Sequence, residues 1–172
     1  LIPMENAVVK SLLNKAEAKY SQASPPQSLA RLDAELKFIN NIKIVLDWCK
    51  KRKIHVKLGT VTSKYGLDDN TIVLNSRLIP ETQLYQLLHE CGHFIILNDF
   101  SAVVNNARFS RIQDSCHKHT KETATEIIDE ELEAWNQGYF LAKKLDIQID
   151  SDAFSKNKAV AIISYMKWAL NG

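Results

Sequence analysis

Leu84-Tyr85-Gln86-Leu87-Leu88-His89-Glu90-Cys91-Gly92-His93-Phe94-Ile95-Ile96-Leu97 is apolar enough for a buried strand and too long for one. Leu84, Leu88, Cys91 and Ile95 recur at steps of four, three and four, the spacing of one face of an α-helix. Pro80 suits a helix start, because a first-turn residue has no intrahelical acceptor for its amide, and Glu81 suits the positive end of the helix dipole. The spacing predicts a helix from Pro80 to about Leu97, packed along that stripe.

The residues beside the stripe carry the chemistry. His89 and His93 are four apart and so face the same side of a helix, where both imidazoles can reach one metal ion. Glu90 projects about 100° further round, a suitable place for a base next to a metal site. His89-Glu90-Cys91-Gly92-His93 is thus an HExxH motif inside a helix, and core packing alone does not require paired histidines. The plainer alternative is two hydrogen-bonded helix histidines and an exposed acid. Cys91 falls on the apolar stripe and reads as a buried, inert thiol rather than a ligand.

A catalytic zinc site commonly has three protein ligands, so a third is sought downstream. A strong helix is predicted from about Thr123 to Leu145, with Glu126, Asp129, Glu130, Glu131 and Glu133 along it. Its buried stripe reads Ala124, Ile127/Ile128, Glu131, Ala134/Trp135, Gly138, Ala142 and Leu145. Glu131 is the charged member of that stripe, and an inward carboxylate is costly unless it is neutralised or coordinated. Glu126, Glu130 and Glu133 are assigned to a more polar face. Glu131 is the expected ligand, with Glu133 and then Glu130 as substitutes and an internal salt bridge as its ordinary alternative. Gly92, Ala134 and Gly138 are small enough to let the two helices approach closely, as a shared metal demands.

Further out, Ala7, Val8, Leu12 and Ala16 predict a short amphipathic helix from Met4 to about Lys19, broken by Ser24-Pro25-Pro26. Ser28 is a candidate cap for a long helix to about Lys50, with Leu29, Leu32, Leu36, Ile39, Leu46 and Cys49 on its inner face. Ile54-His55-Val56-Lys57-Leu58 and Thr71-Ile72-Val73-Leu74 read as two antiparallel strands with Gly66 and Asp68-Asp69-Asn70 as turn residues, and His55 on the polar phase. A last helix is expected over about Ala153 to Leu170. The polar Asn98 to Lys121 stretch between the two site helices has the length of a functional connection. It contains Cys116-His117-Lys118-His119, a weaker metal-binding pattern best read as solvent-facing, with His117 or His119 also able to stabilise an oxyanion. Tyr139 or Tyr165 are alternatives for that role.

At 172 residues, one compact domain is expected, with residues 1–53 as a helical region packed on a core of residues 54–172. The longest apolar run, Ala159 to Ile163, is far short of the ~20 residues that span a bilayer, so no membrane association is expected. With 22 basic and 20 acidic residues, no global field draws the chain to nucleic acid. Lys50-Lys51-Arg52-Lys53 is the one dense basic run, a weak nucleic-acid signal better explained as a solvated helix end. Three cysteines cannot all pair within one chain, and the first residues lack the basic start and apolar stretch of a secretory signal, which together favour the cytoplasm.

HExxH followed by Glu131-Leu132-Glu133-Ala134 on a later helix resembles the gluzincin-type metallopeptidases. With the strand Ile72 to Leu74, the pattern is similar to the ImmA/IrrE family of phage- and mobile-element-associated zinc peptidases, over about Thr71 to Leu145. The resemblance implies an α+β, mostly helical zincin-like domain with a small antiparallel sheet beside the metal-binding helix. It implies Zn2+ held by His89, His93 and Glu131, with Glu90 as the catalytic base and a protein or peptide substrate, often a repressor or other regulator. By the same resemblance an edge strand, Thr71 to Asn75, aligns the peptide by β-addition. The alternative is a non-catalytic zincin-fold protein that binds a regulatory partner.

Overall fold

A computed structural model describes residues 7–21, 25–66, 69–98 and 121–171. The chain is α+β and mostly helical, in the order α1 (Ala7–Tyr20), α2 (Pro25–Lys51), β1 (His55–Gly59), β2 (Lys64–Gly66), β3 (Thr71–Asn75), α3 (Pro80–Asn98), α4 (Lys121–Lys144) and α5 (Ser151–Asn171). Its contacts divide it into two compact units, one ending at Leu87 and the other starting at Leu88, so α3 runs through the boundary. Among the described residues no helix is long and apolar enough to cross a membrane.

The first unit packs α1 and α2 together with a three-stranded sheet. Helix α1 buries Val8, Val9, Leu12 and Ala16, the face predicted from its spacing. Helix α2 starts at Pro25 rather than after Ser28, with both prolines in a first turn where their missing amide hydrogens leave no bond unmade. Its inner face is buried from Ile39 to Cys49, whereas Leu29 is 59% exposed. The helix ends with Lys53 in the left-handed region, φ 59°. There the Ile54 amide donates to the Cys49 carbonyl at 3.0 Å and Ile54 itself is buried, a left-handed cap closed by an apolar contact. The basic run is therefore an exposed helix end, with the Arg52 guanidinium lying 4.0 Å from the Trp48 ring centre. His55 is exposed, as its strand phase predicts.

The sheet corrects the expected pairing. Its order is β1-β3-β2, with β1 parallel to β3 (His55 opposite Thr71, Gly59 opposite Asn75) and β2 antiparallel to β3 (Lys64 opposite Val73, Gly66 opposite Thr71). It is a mixed sheet, and the two strands expected to be antiparallel run the same way. The reason is the short strand Lys64–Gly66, which takes the tight reversal for itself. Asn70 sits at φ 49°, the Thr71 amide donates to the Asp69 carboxylate at 3.2 Å, and the Tyr65 hydroxyl donates to Asn70 Oδ1 at 2.8 Å. Strand β3 is consequently central, which fits its buried Thr71, Ile72 and Leu74. With a neighbour on each side, Thr71 to Asn75 is not an edge and cannot take an added peptide strand.

The second unit contains the rest of α3 with α4 and α5. Helix α4 buries Thr123, Ala124, Glu130, Glu131, Ala134, Trp135, Gly138, Leu141 and Ala142. It ends as α2 does, with Asp146 at φ 56° and the amide of buried Ile147 donating to the Ala142 carbonyl at 2.9 Å. Helix α5 contributes Phe154, whose ring meets Trp135 edge-on at 5.2 Å. Helices α3 and α4 cross at two glycines. A β-carbon on Gly138 would lie 2.6 Å from the Leu88 carbonyl oxygen, and one on Gly92 would clash with the main chain of Ala134. This is the close approach the small residues predicted, and it brings the polar faces of α3 and α4 together.

Candidate metal centre

His89 and His93 stand one turn apart on α3, with their Nε2 atoms 3.3 Å from each other. The Glu131 carboxylate meets both from α4, Oε2 at 3.1 Å from His89 Nε2 and Oε1 at 3.4 Å from His93 Nε2. Nitrogen and oxygen ligands about 2.0–2.2 Å from a tetrahedral ion are separated from one another by roughly 3.3–3.5 Å. The 3.3 Å between the two imidazole nitrogens lies on that tetrahedral edge, and each imidazole has a different Glu131 oxygen at a similar distance, 3.1 Å for His89 and 3.4 Å for His93. Two imidazoles and a carboxylate converging in this way suit a borderline ion such as Zn2+. Among the described residues this is the one group of three His, Cys, Asp or Glu side chains so arranged.

The surroundings are nearly dry. The side chains of His89 and Glu131 are 7% and 9% exposed. Burial opposes charge on His93, but hydrogen bonds to Glu130 and Glu131 and the nearby Glu90 charge outweigh it and push its pKa up to about 10. Burial likewise works against ionisation of Glu131, yet the two histidines hold its carboxyl well below the usual carboxylate range. Glu90 is buried rather than the exposed acid of the plainer reading, and its charge acts on both His93 and Tyr165. Burial first, then the Glu131 carboxylate, raise the Tyr165 phenol, so at neutral pH it keeps its proton.

The acidic residues of α4 separate cleanly. Glu131 reaches the histidines, whereas Glu133 accepts hydrogen bonds from Asn136 Nδ2 at 3.3 Å and Gln137 Nε2 at 2.6 Å. Glu130, assigned from the sequence to a polar face, is buried, and its Oε1 lies 3.3 Å from His93 Nδ1. The correction has a geometric cause: the buried arc of α4 is wide enough to take two successive residues, 130 with 131 and 134 with 135. Cys91 is buried on the apolar side and takes no part in the donor group. Tyr139 is turned to other partners, with Phe154 at 5.6 Å and the Lys143 ammonium 4.5 Å over its ring. Cys116, His117 and His119 lie outside the described residues.

Trp135 was visible in the sequence only as a stripe residue. Its ring lies 4.5 Å from that of His89 at an interplanar angle of 20°, a stacked pair. His89 Nδ1 and Trp135 Nε1 are both buried with no hydrogen-bond partner, so stacking rather than a hydrogen bond orients this imidazole.

No family model, curated protein or solved structure matches this chain. The chemistry of the site therefore rests on its own donors. Two histidines and one glutamate make up a set that catalytic zinc sites use, in contrast to the four protein ligands that close a structural one. Beside them, in addition to Glu130, stand one buried carboxylate from α3, Glu90, and one protonated phenol from α5, Tyr165. Such a site can bind a divalent cation, move a proton through the carboxylate and donate a hydrogen bond from the phenol.

Proposed function

We propose that the protein is a zinc-dependent metallopeptidase that hydrolyses peptide bonds, with His89, His93 and Glu131 holding the ion. The observation that carries this reading is the convergence of two imidazole nitrogens 3.3 Å apart on one carboxylate, whose Oε2 lies 3.1 Å from His89 and whose Oε1 lies 3.4 Å from His93, with the buried Glu90 close enough for its charge to act on His93. Zinc, when bound, supplies Lewis acidity. The remaining work falls to the chain. Glu90 accepts the proton of the attacking water and returns it to the leaving amine nitrogen, as a general base and then a general acid. Burial of the site strengthens each of these interactions by excluding bulk water. The resemblance to the ImmA/IrrE family adds the substrate class, a regulatory protein of a phage or mobile element, and a cytoplasmic setting.

The test is metal analysis of protein purified without added zinc, combined with hydrolysis of a peptide library by the wild type and by Glu90→Gln. One equivalent of zinc and cleavage that vanishes in the variant are expected. Absence of zinc together with no zinc-dependent thermal shift would overturn the metal site. Cleavage undiminished by Glu90→Gln would overturn the assigned base. A wild type that binds zinc but cleaves nothing in the library, and instead captures a regulatory partner equally well with or without Glu90, would make the protein a non-catalytic binder.

A further inference from the structure

We propose that Glu130 is a positioning residue of this centre, fixing His93 with its proton on Nδ1 and its Nε2 lone pair aimed at the ion. The inference rests on the zinc reading and adds to it a residue that is not a ligand. His93 uses its two nitrogens in two directions: Nε2 faces His89 Nε2 at 3.3 Å and Glu131 Oε1 at 3.4 Å, while Nδ1 faces Glu130 Oε1 at 3.3 Å. An ionised carboxylate can only accept, so the hydrogen of a neutral imidazole is drawn to Nδ1 and Nε2 is left free to coordinate. A carboxylate behind a ligating histidine also raises the basicity of that ligand.

Burial makes the assignment specific. Glu130 is 7% exposed, and among the described residues its carboxylate lies within 3.3 Å of His93 Nδ1 and pairs with no lysine or arginine. A carboxylate buried at this cost needs a partner, and His93 is the partner present. The neighbouring histidine provides an internal control. His89 Nδ1 meets no acceptor, and its ring is held by Trp135 instead. The two imidazoles are thus oriented by different physics, one by an anion and one by an aromatic face, and Glu130 acts on only one of them.

The experiment compares zinc affinity, by chelator competition, in the full chain and its Glu130→Gln, Glu130→Ala and Glu131→Ala variants, with the tautomer of His93 read from long-range proton–nitrogen-15 spectra. Loss of the carboxylate is expected to weaken zinc binding about 10- to 100-fold. Glu130→Gln should lie nearer the wild type because its amide oxygen still accepts from Nδ1, and the Nδ1-protonated signal of His93 should broaden or shift while that of His89 stays. Glu131→Ala should lose far more affinity than either. Unchanged affinity and an unchanged His93 tautomer in both Glu130 variants would overturn the proposal. A loss equal to that of Glu131→Ala would also overturn it, by making Glu130 a ligand. If Glu130→Ala fails to fold, the near-isosteric Glu130→Gln decides. A wild type with no zinc affinity would instead refute the underlying metal site, a result distinct from any difference among variants.

Discussion

A β-carbon built on Gly92 would lie 1.9 Å from the carbonyl oxygen of Ala134. The obstacle is main chain, which cannot rotate away as a side chain does, so α3 and α4 meet backbone to backbone at the middle of the HExxH motif.

Gly92→Ala should therefore separate the helices. The gain in helix propensity, about 1 kcal/mol, is outweighed by overpacking that costs about 1–3 kcal/mol or more against unyielding backbone. Lower thermal stability and zinc affinity reduced at least tenfold are expected from calorimetry and chelator competition. Gly138→Ala, with a closest approach of 2.6 Å, should show the same effects in milder form. A Gly92→Ala protein as stable as the wild type would show that the crossing is looser than described.

The carboxylates of α4 should separate by function as they do in space. Glu131→Ala should weaken zinc binding by several orders of magnitude, and Glu133→Ala, which gives up hydrogen bonds to Asn136 and Gln137, should change it less than threefold. His89→Ala and His93→Ala should each lose stoichiometric zinc. Retention of one equivalent in both histidine variants would direct attention to another site.

Trp135 is fully buried between His89 and Phe154. Replacement by Leu should cost about 2–4 kcal/mol through the space left unfilled, somewhat below the usual loss for truncation to Ala. It should also weaken zinc binding by freeing the His89 ring. Denaturant titration with and without zinc separates the two effects. Zinc affinity unchanged in a destabilised variant would reduce Trp135 to a packing role.

The pH dependence follows from the linked acid and imidazole. Without zinc, the His93 pKa is raised from 6.5 to about 10, so its contribution to stability is complete below about 6.5 and is lost as pH rises through about 10. The Glu131 carboxyl is lowered, so its contribution is present above its ordinary value near 4.5 and disappears as pH falls below that. Melting temperatures in the presence of a chelator should decline from pH 6.5 towards 9. With zinc the trend should flatten or reverse, because the ion displaces the His93 proton and binds more tightly as that proton becomes easier to remove. Parallel pH curves in the two conditions would contradict this coupling.

The site was legible where one helix face dictated it. His89, His93 and Glu131 each follow from a periodicity of 3.6 combined with the high cost of turning a charged or polar group inward. Glu130 was not legible, because whether a buried arc spans one residue or two depends on how deeply a neighbouring helix presses in, and that depth is set at Gly92 and Gly138. Strand direction failed for a similar reason. Lys64–Gly66 is too short to carry a periodic signal, yet its pairing beside Thr71–Val73 decides that β1 and β3 run parallel. The near-continuous apolar run Thr71 to Leu74 was the available sign of a central strand.

The places of the elements along the chain also fix which partners exist first during synthesis. The sheet is complete once Asn75 has emerged, and the first unit once Leu87 has. His93 then waits for a partner that lies 37 positions later in the chain. At about 5–20 residues per second the nascent histidine pair spends several seconds without either carboxylate of α4. Until α4 has been made, the two histidines lack the carboxylates that complete the candidate metal centre.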